Sequence, residues 1–396
     1  MLLVLLMGFS SGLPLALTAS TLQAWMKKSG VDISVIGIFS VVGLPYAYKF
    51  LWAPFMDHYV PPVFGRRRGW ALMTQVGLIL ATLALSYCDP GQSAVLLGVA
   101  ATAIAFFSAS QDIVVDAYRT EILRAGEVAA GSSLYLMGYR LGMLVSGALA
   151  LMLADQIPWP EVIRWIALGM GIGAITILCA PEPETTVTTK SIREAFVEPL
   201  KEFFQRPGIL EVFAFILLYK IDVAFASALL TPFFLDLGFA QTEIGIVFKV
   251  FGLFATIGGT LLGGIIMTKI GLRRGLWLFG ILQAVSGASF IVLAHFPIHS
   301  MLVVSVTLEN AMSGMGNAAF AAFLLSLCNK KFSGTQYAAL TCLMALSRIM
   351  VQTPSGYLAK YLGWSDYFLV SILISIPALL LLTRYKVWMR EKVDIV

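Results

Sequence analysis

SASQDIVVDAYRTEIL, from Ser108 to Leu123, continues directly from the apolar run that begins near Gln92. A carboxylate on a membrane helix costs roughly 2.5 to 3.5 kcal/mol on insertion scales, so Asp112 and Asp116 need partners, water or a task. Acids held inside a membrane point to transport. The rest of the chain supports a membrane setting: of 396 residues, 59% are hydrophobic and 12% charged, with a mean hydropathy of +0.86. A soluble domain is excluded.

A membrane-spanning helix needs about 20 apolar residues. Twelve such runs occur, near residues 2–25, 35–55, 70–87, 93–118, 132–154, 162–180, 209–235, 243–267, 275–294, 301–327, 336–358 and 366–386. The first could be misread as a signal peptide with ALTAS as its cleavage site. No Lys or Arg precedes it, however, and Gly12 and Pro14 interrupt it, so a span is expected. The fold expected is therefore an all-α membrane protein of twelve transmembrane helices.

Lys and Arg crowd the even-numbered connections: Arg66 to Arg68, Arg119 and Arg124, Lys190 to Arg206, Lys269 to Arg274, Lys330 and Lys331. Only Lys27, Lys28, Arg164 and Lys360 fall on the other side, so both termini are expected in the cytoplasm. The net charge of +5 reports this topology and calls for no nucleic acid. All eight Trp residues fall near span ends, as interfacial anchors would. Cys88, Cys179, Cys328 and Cys342 are far apart without metal-ligand spacing and read as packing residues. No metal, cofactor or catalytic residue is expected. Gly-Lys, HExxH and nucleophile-elbow motifs are missing, which disfavours an enzyme or ATP-driven pump and leaves an ion gradient as the energy source.

The longest polar connection divides the chain into a first bundle at 1–180, a cytoplasmic linker at 181–208 and a second bundle at 209–396. In the linker, SIREAFVEPLKEFF has the apolar stripe and capping spacing of an amphipathic helix on the membrane surface. The halves echo each other: IGIFSVVGL at Ile36 and IGIVFKVFGL at Ile244, Gln75 and Gln283, Arg140 and Arg348 lie about 208 residues apart. A duplicated six-helix unit puts the substrate path between its copies. The loops APFMDHYVPPVFGRRRG and GGIIMTKIGLRRG resemble the loop signature of the major facilitator superfamily. On that resemblance Asp57, Arg66, Arg67, Arg68, Arg273 and Arg274 form an inner gate, with Asp116 beside it.

Depth along each span brings together a polar lining. Asp112 and Arg140 are placed to pair, and Glu309 with Arg348 in the second half. Lys220 and Asp222 sit in mid-span seven, Lys49 in span two and Lys249 in span eight. Cations outnumber acids slightly, which suits an anionic or zwitterionic substrate. Gln23, Gln111 and Asn310 add amides for sugar hydroxyls or peptide groups. Each charge can equally be one member of a neutralised interhelical pair, and interhelical bonding is the commoner use of the amides. Asp112, Asp222 and Glu309 are the candidates for proton coupling.

GFSSGLPLALT, FLWAPFMDHY, GRRRGW, SASQDIVVDAYRTEIL, GYRLGMLVSGALALMLAD and CNKKFSGTQYAAL together resemble the AmpG-type muropeptide permeases of bacterial inner membranes, over nearly the whole chain. The resemblance implies proton-driven import of N-acetylglucosaminyl-1,6-anhydro-N-acetylmuramyl peptides for peptidoglycan recycling. It also implies a link to β-lactamase induction and antibiotic resistance, with the bilayer and protons as partners and a monomer as the expected state. Some members carry two further C-terminal spans, outside the expected transport core. An importer of siderophores or other anionic small molecules fits the same lining. A membrane sensor that binds without transport is the rival of another class.

Overall fold

The computed structural model describes residues 1–123, 128–183, 208–327 and 333–388, and among them only helices, turns and loops occur. Hydrocarbon imposes this, because a helix closes its own backbone hydrogen bonds where no water can. Nine helices among the described residues are long and apolar enough to cross a membrane: Leu2–Lys28, Ile33–Leu51, Arg66–Ser86, Ala94–Arg119, Leu134–Ala154, Trp159–Cys179, Gln241–Ile270, Leu272–His295 and Trp364–Trp388. They correspond to runs one to six, eight, nine and twelve. Run ten is the helix His299–Leu327. Run eleven is Ser333–Gln352 followed by Ser355–Leu362, and run seven is three short helices, Ile209–Leu218, Ile221–Ser227 and Leu230–Asp236. The linker helix expected at Ser191 to Phe204 lies outside the described residues.

The chain condenses into two compact units, Met1–Thr186 with Thr231–Lys249 and Val187–Leu230 with Val250–Val396. Residues 231–249, the hairpin between spans seven and eight, belong by sequence to the second half but pack with the first six spans. Two polar clasps hold them there. Lys27 Nζ meets Asp236 Oδ1 at 2.6 Å. Asp155, just past span five, accepts from Gln241 Nε2 (2.9 Å), Thr242 N–H (2.7 Å) and Thr242 Oγ1 (2.6 Å). The Asp155 carboxylate thus caps span eight, whose own N-cap residue Ala240 provides no side-chain bond. Burial opposes the charge on Asp155, but the hydrogen bonds from Thr242 and Gln241 prevail and hold its carboxyl below the ordinary value of 3.8.

Small residues let backbones touch, the main source of helix association in a membrane. A methyl group added at Gly12 would sit 2.0 Å from the Tyr139 carbonyl oxygen, and one at Gly259 would sit 2.0 Å from that of Ala311. Close packing is therefore the use of the GFSSGLP and GGTLLGG runs. Span one also bends: Pro14 lies inside it, and after it Leu17–Thr21 opens into a π-turn in which Ala19 leaves helical geometry (φ −104°, ψ −107°). In the second unit Phe215, Tyr219, Phe279, Phe320 and Phe323 build the core. Trp388, expected as an interfacial anchor, is drawn partly inside: it packs on Phe215 with ring centroids 5.3 Å apart and donates to Glu211 Oε2 (2.9 Å).

Candidate substrate site

In the first unit a buried glutamine organises the polar centre. Gln75 Oε1 on span three accepts from Ser10 Oγ on span one (2.9 Å) and from Gln111 Nε2 on span four, while its Nε2 donates to the Met170 carbonyl on span six (2.6 Å). Gln111, expected at the substrate, is thereby held within the bundle. Its neighbour Asp112 is placed differently from expectation. The charges that act on it are Lys49, Asp116 and Arg119; Arg140 is exposed and is not among them. Among the described residues no Asp112–Arg140 ion pair forms within 4 Å, and Lys49 is the leading charge on Asp112; depth along a span does not fix which way a side chain faces. Around Asp112 lies a set of loosely held polar atoms: Ser11 Oγ, Tyr46 OH, Ser108 Oγ, Gln111 Oε1 and Asp112 Oδ1 are buried and close no hydrogen bond of good geometry, with Ser11 facing Asp112 and Ser108 facing Tyr46. Such atoms are costly inside a protein unless water or a ligand meets them.

The second unit repeats the plan around Gln283. Span seven breaks at Lys220, whose backbone (φ −111°, ψ 8°) is not helical, and Gln283 Nε2 donates to the Tyr219 carbonyl at the break (2.9 Å). Gln283 Oε1 accepts from Lys220 Nζ (3.0 Å), which also donates to the Ser313 carbonyl (3.2 Å). Asp222 and Glu309 are both buried. The charges acting on Glu309 are Lys220 and Asp222, so the expected partner Arg348, exposed on span eleven, is replaced by Lys220. A small cavity is bounded by Asp222, Gln283, Glu309 and Ser371, and the Asp222 Oδ2 atom has no hydrogen-bond partner. Asn310 is spent between helices: it donates to the Val306 carbonyl (2.9 Å) and accepts from Thr256 Oγ1 (3.0 Å). Gln23 is half-buried near the end of span one.

Lys249 belongs to the first unit. Its Nζ donates to Ser20 Oγ (2.6 Å) and lies 4.3 Å from the centroid of the Phe248 ring.

Arg66, Arg67 and Arg68 find their partners inside the first unit. Arg67 donates to both Glu121 carboxylate oxygens, and Arg66 reaches Glu121 at 3.3 Å. Arg68 donates to the Ile177 (3.2 Å) and Leu178 (2.8 Å) carbonyls, left open at the C-terminus of span six. In return Glu182, just beyond span six, accepts the N–H groups of Arg67 (2.8 Å) and Arg68 (2.9 Å) at the N-terminus of span three. Spans three and six cap each other. Gly65 is required at that joint, since its φ is +78° and an added methyl would lie 2.7 Å from the Glu182 carboxyl carbon. The Asp57 side chain lies outside the described residues. Asp116 pairs with Arg119 on its own helix (2.9 Å), and Arg273 and Arg274 are exposed at the start of span nine.

Glu121, Glu182, Ser10, Tyr46 and Ser20 were not legible as partners in the sequence. The two central glutamines left a signal, their spacing of about 208 residues. Glu121 left a weaker one, as an acid at the end of the opening motif.

The comparison with protein families matches the Major Facilitator Superfamily over residues 4–352. This chain belongs to that superfamily, in its AmpG-type permease branch. The anhydromuropeptide permease of Escherichia coli K12 is 46% identical over 384 residues, covering 96% of this chain and 78% of that one. The putative transporter AmpG 4 of Rickettsia felis is 33% identical, over 99% of this chain and 97% of its own. Among solved structures, a bacterial homolog of the lysosomal transporter Spinster superposes with TM-score 0.74 at 15% identity, covering 96% of this chain and 95% of its own. A D-xylose–proton symporter also gives 0.74 at 13% identity, with 96% of each covered; both show the shared fold. The permease is a membrane transporter rather than an enzyme, with the all-helical major facilitator fold expected from its sequence.

Proposed function

We infer that this permease imports anhydro-muropeptides across the bacterial inner membrane, from periplasm to cytoplasm, driven by the proton gradient, with both termini cytoplasmic. The single observation that carries this reading is the 46% identity, over 96% of the chain, to a protein named for that substrate. The site agrees chemically. The loosely held hydroxyl and amide oxygens around Asp112 suit sugar hydroxyls and acetamido groups, and Lys49, Lys220 and Lys249 suit carboxylates. Among the described residues Asp112, Asp222 and Glu309 close no ion pair within 4 Å, which leaves each able to take up and release a proton during a cycle.

The test is uptake of labelled anhydro-muropeptide into proteoliposomes with an imposed proton gradient. Accumulation that collapses when the gradient is dissipated is the expected result. Accumulation of an iron-siderophore instead, with no muropeptide uptake, overturns the reading.

A further inference from the structure

Among the described residues no acid stands beside Lys249. Two other lysines on the spans have acids about them: Lys220 faces Asp222 and Glu309, and Lys49 acts on Asp112. For Lys249 the described residues provide one hydroxyl, Ser20, and one aromatic face, Phe248. Among the described residues no carboxylate pairs with it and no other charge acts on it. A half-buried ammonium in a membrane protein without a counter-charge is expensive to keep, and such residues mark ligand paths.

Its surroundings are unusual too. Lys249 lies on a π-turn, Gly245–Phe251, and its partner Ser20 lies on another, Leu17–Thr21, beside the distorted Ala19. A third, Val145–Leu149, brings Gly147 against the Lys249 stem, where an added methyl would lie 3.8 Å from Cδ. Thr21 Oγ1 ties the second of these to the third through the Ser146 carbonyl (2.6 Å). A π-turn costs helix hydrogen-bond quality and concentrates at functional sites; here three from three spans meet around one ammonium. Ser20 and Lys249 are both half-buried rather than sealed, so an incoming group can reach them.

We propose that Lys249 receives a carboxylate of the transported substrate and that Ser20 parks the ammonium while the carrier is empty. The proposal rests on the import reading above and adds to it the group that selects an acid over its neutral counterpart. A carboxylate arriving at Nζ exchanges a bond from the ammonium to a neutral hydroxyl for an ion pair, in which both donor and acceptor are charged. Lys249 therefore discriminates by charge, while the hydroxyl cluster around Asp112 serves the neutral part of the molecule.

The experiment uses the full-length carrier in proteoliposomes and two labelled probes: the peptide-free disaccharide N-acetylglucosaminyl-anhydro-N-acetylmuramic acid, which has one carboxylate, and its carboxamide. The wild type is expected to take up the acid with a KM at least about tenfold below that of the amide. Lys249→Met is expected to abolish that preference by raising the KM of the acid alone, and Lys249→Arg to restore most of it. Ser20→Ala is expected to lower the KM of the acid, since the parking bond no longer competes. Binding of both probes to Lys249→Gln in detergent gives a second measure that does not depend on turnover. A preference that survives Lys249→Met and Lys249→Gln, or a wild type without preference, overturns the proposal and leaves the import reading standing. A wild type that takes up neither probe overturns both.

Discussion

At the scale of single residues, Tyr46 separates packing from function. Its hydroxyl is buried and closes no hydrogen bond of good geometry, with only Ser108 and Thr18 beside it, so Tyr46→Phe removes a polar group that the folded protein holds weakly. The melting temperature of the detergent-solubilised protein is expected to stay constant or rise, because an unsatisfied buried hydroxyl costs about 1 to 3 kcal/mol. If the hydroxyl meets substrate, as inferred, the KM for muropeptide rises roughly tenfold in the same variant, the worth of one hydrogen bond. An unaltered KM would place Tyr46 outside the path. Gln75 behaves in the opposite way. Its amide joins spans one, three, four and six, so Gln75→Leu strands Ser10, Gln111 and the Met170 carbonyl together. A fall in stability of about 2 kcal/mol or more is expected in a thermal melt. For the acids, Asp222→Asn and Glu309→Gln are expected to abolish gradient-driven accumulation while sparing exchange of labelled for unlabelled substrate, because a permanently neutral side chain has no proton to move.

At the scale of elements, the reciprocal caps of spans three and six are a local design with a measurable worth. Glu182 bonds two free N–H groups at a helix N-terminus and places its charge at the positive end of that helix. Glu182→Ala is expected to destabilise the first unit by about 1 to 2 kcal/mol, read as a lower midpoint in thermal unfolding, with Glu182→Gln losing less. A midpoint unaltered by the alanine variant would show that water caps span three equally well. This joint adds partners that loop arginines do not reveal by themselves. A run of three arginines reads as topology or a gate, yet Arg67 and Arg68 are committed to Glu121 and to the end of span six. Which acid meets which arginine depends on the chain returning 54 to 115 residues later, and no local pattern encodes that.

At the scale of the molecule, the hairpin 231–249 held on the first six spans by two clasps matters most. Asp236→Lys sets two like charges at the Lys27 clasp and is expected to speed amide exchange across 231–249; adding Lys27→Asp should restore protection. Unaltered exchange in the single variant would show the clasp to be idle. The second clasp carries a pH sign. The Asp155 carboxyl in the folded protein lies below its ordinary value of 3.8, so its contribution is fully present above that value and is lost only as pH falls through the lower folded value. Between about pH 5 and 8 hairpin protection is expected to be flat in pH, and a transition within that window would point to another group.

Composition and periodicity alone determined that this is a helical membrane protein, duplicated, with acids and amides set inside its spans. Those properties follow from the hydrocarbon thickness and from the cost of charge within it, and both are written along a line. The pairing of those charges was decided only in three dimensions. Asp112 answers to Lys49 rather than Arg140, and Glu309 to Lys220 rather than Arg348, because a side chain's azimuth around its helix and the register between helices set each contact, whereas sequence reports only depth. The stretch from Ser108 to Leu123 shows both sides. Its acids point from the sequence to transport, but the hydroxyls gathered around Asp112, contributed by spans one, two and four, became neighbours only when those helices packed.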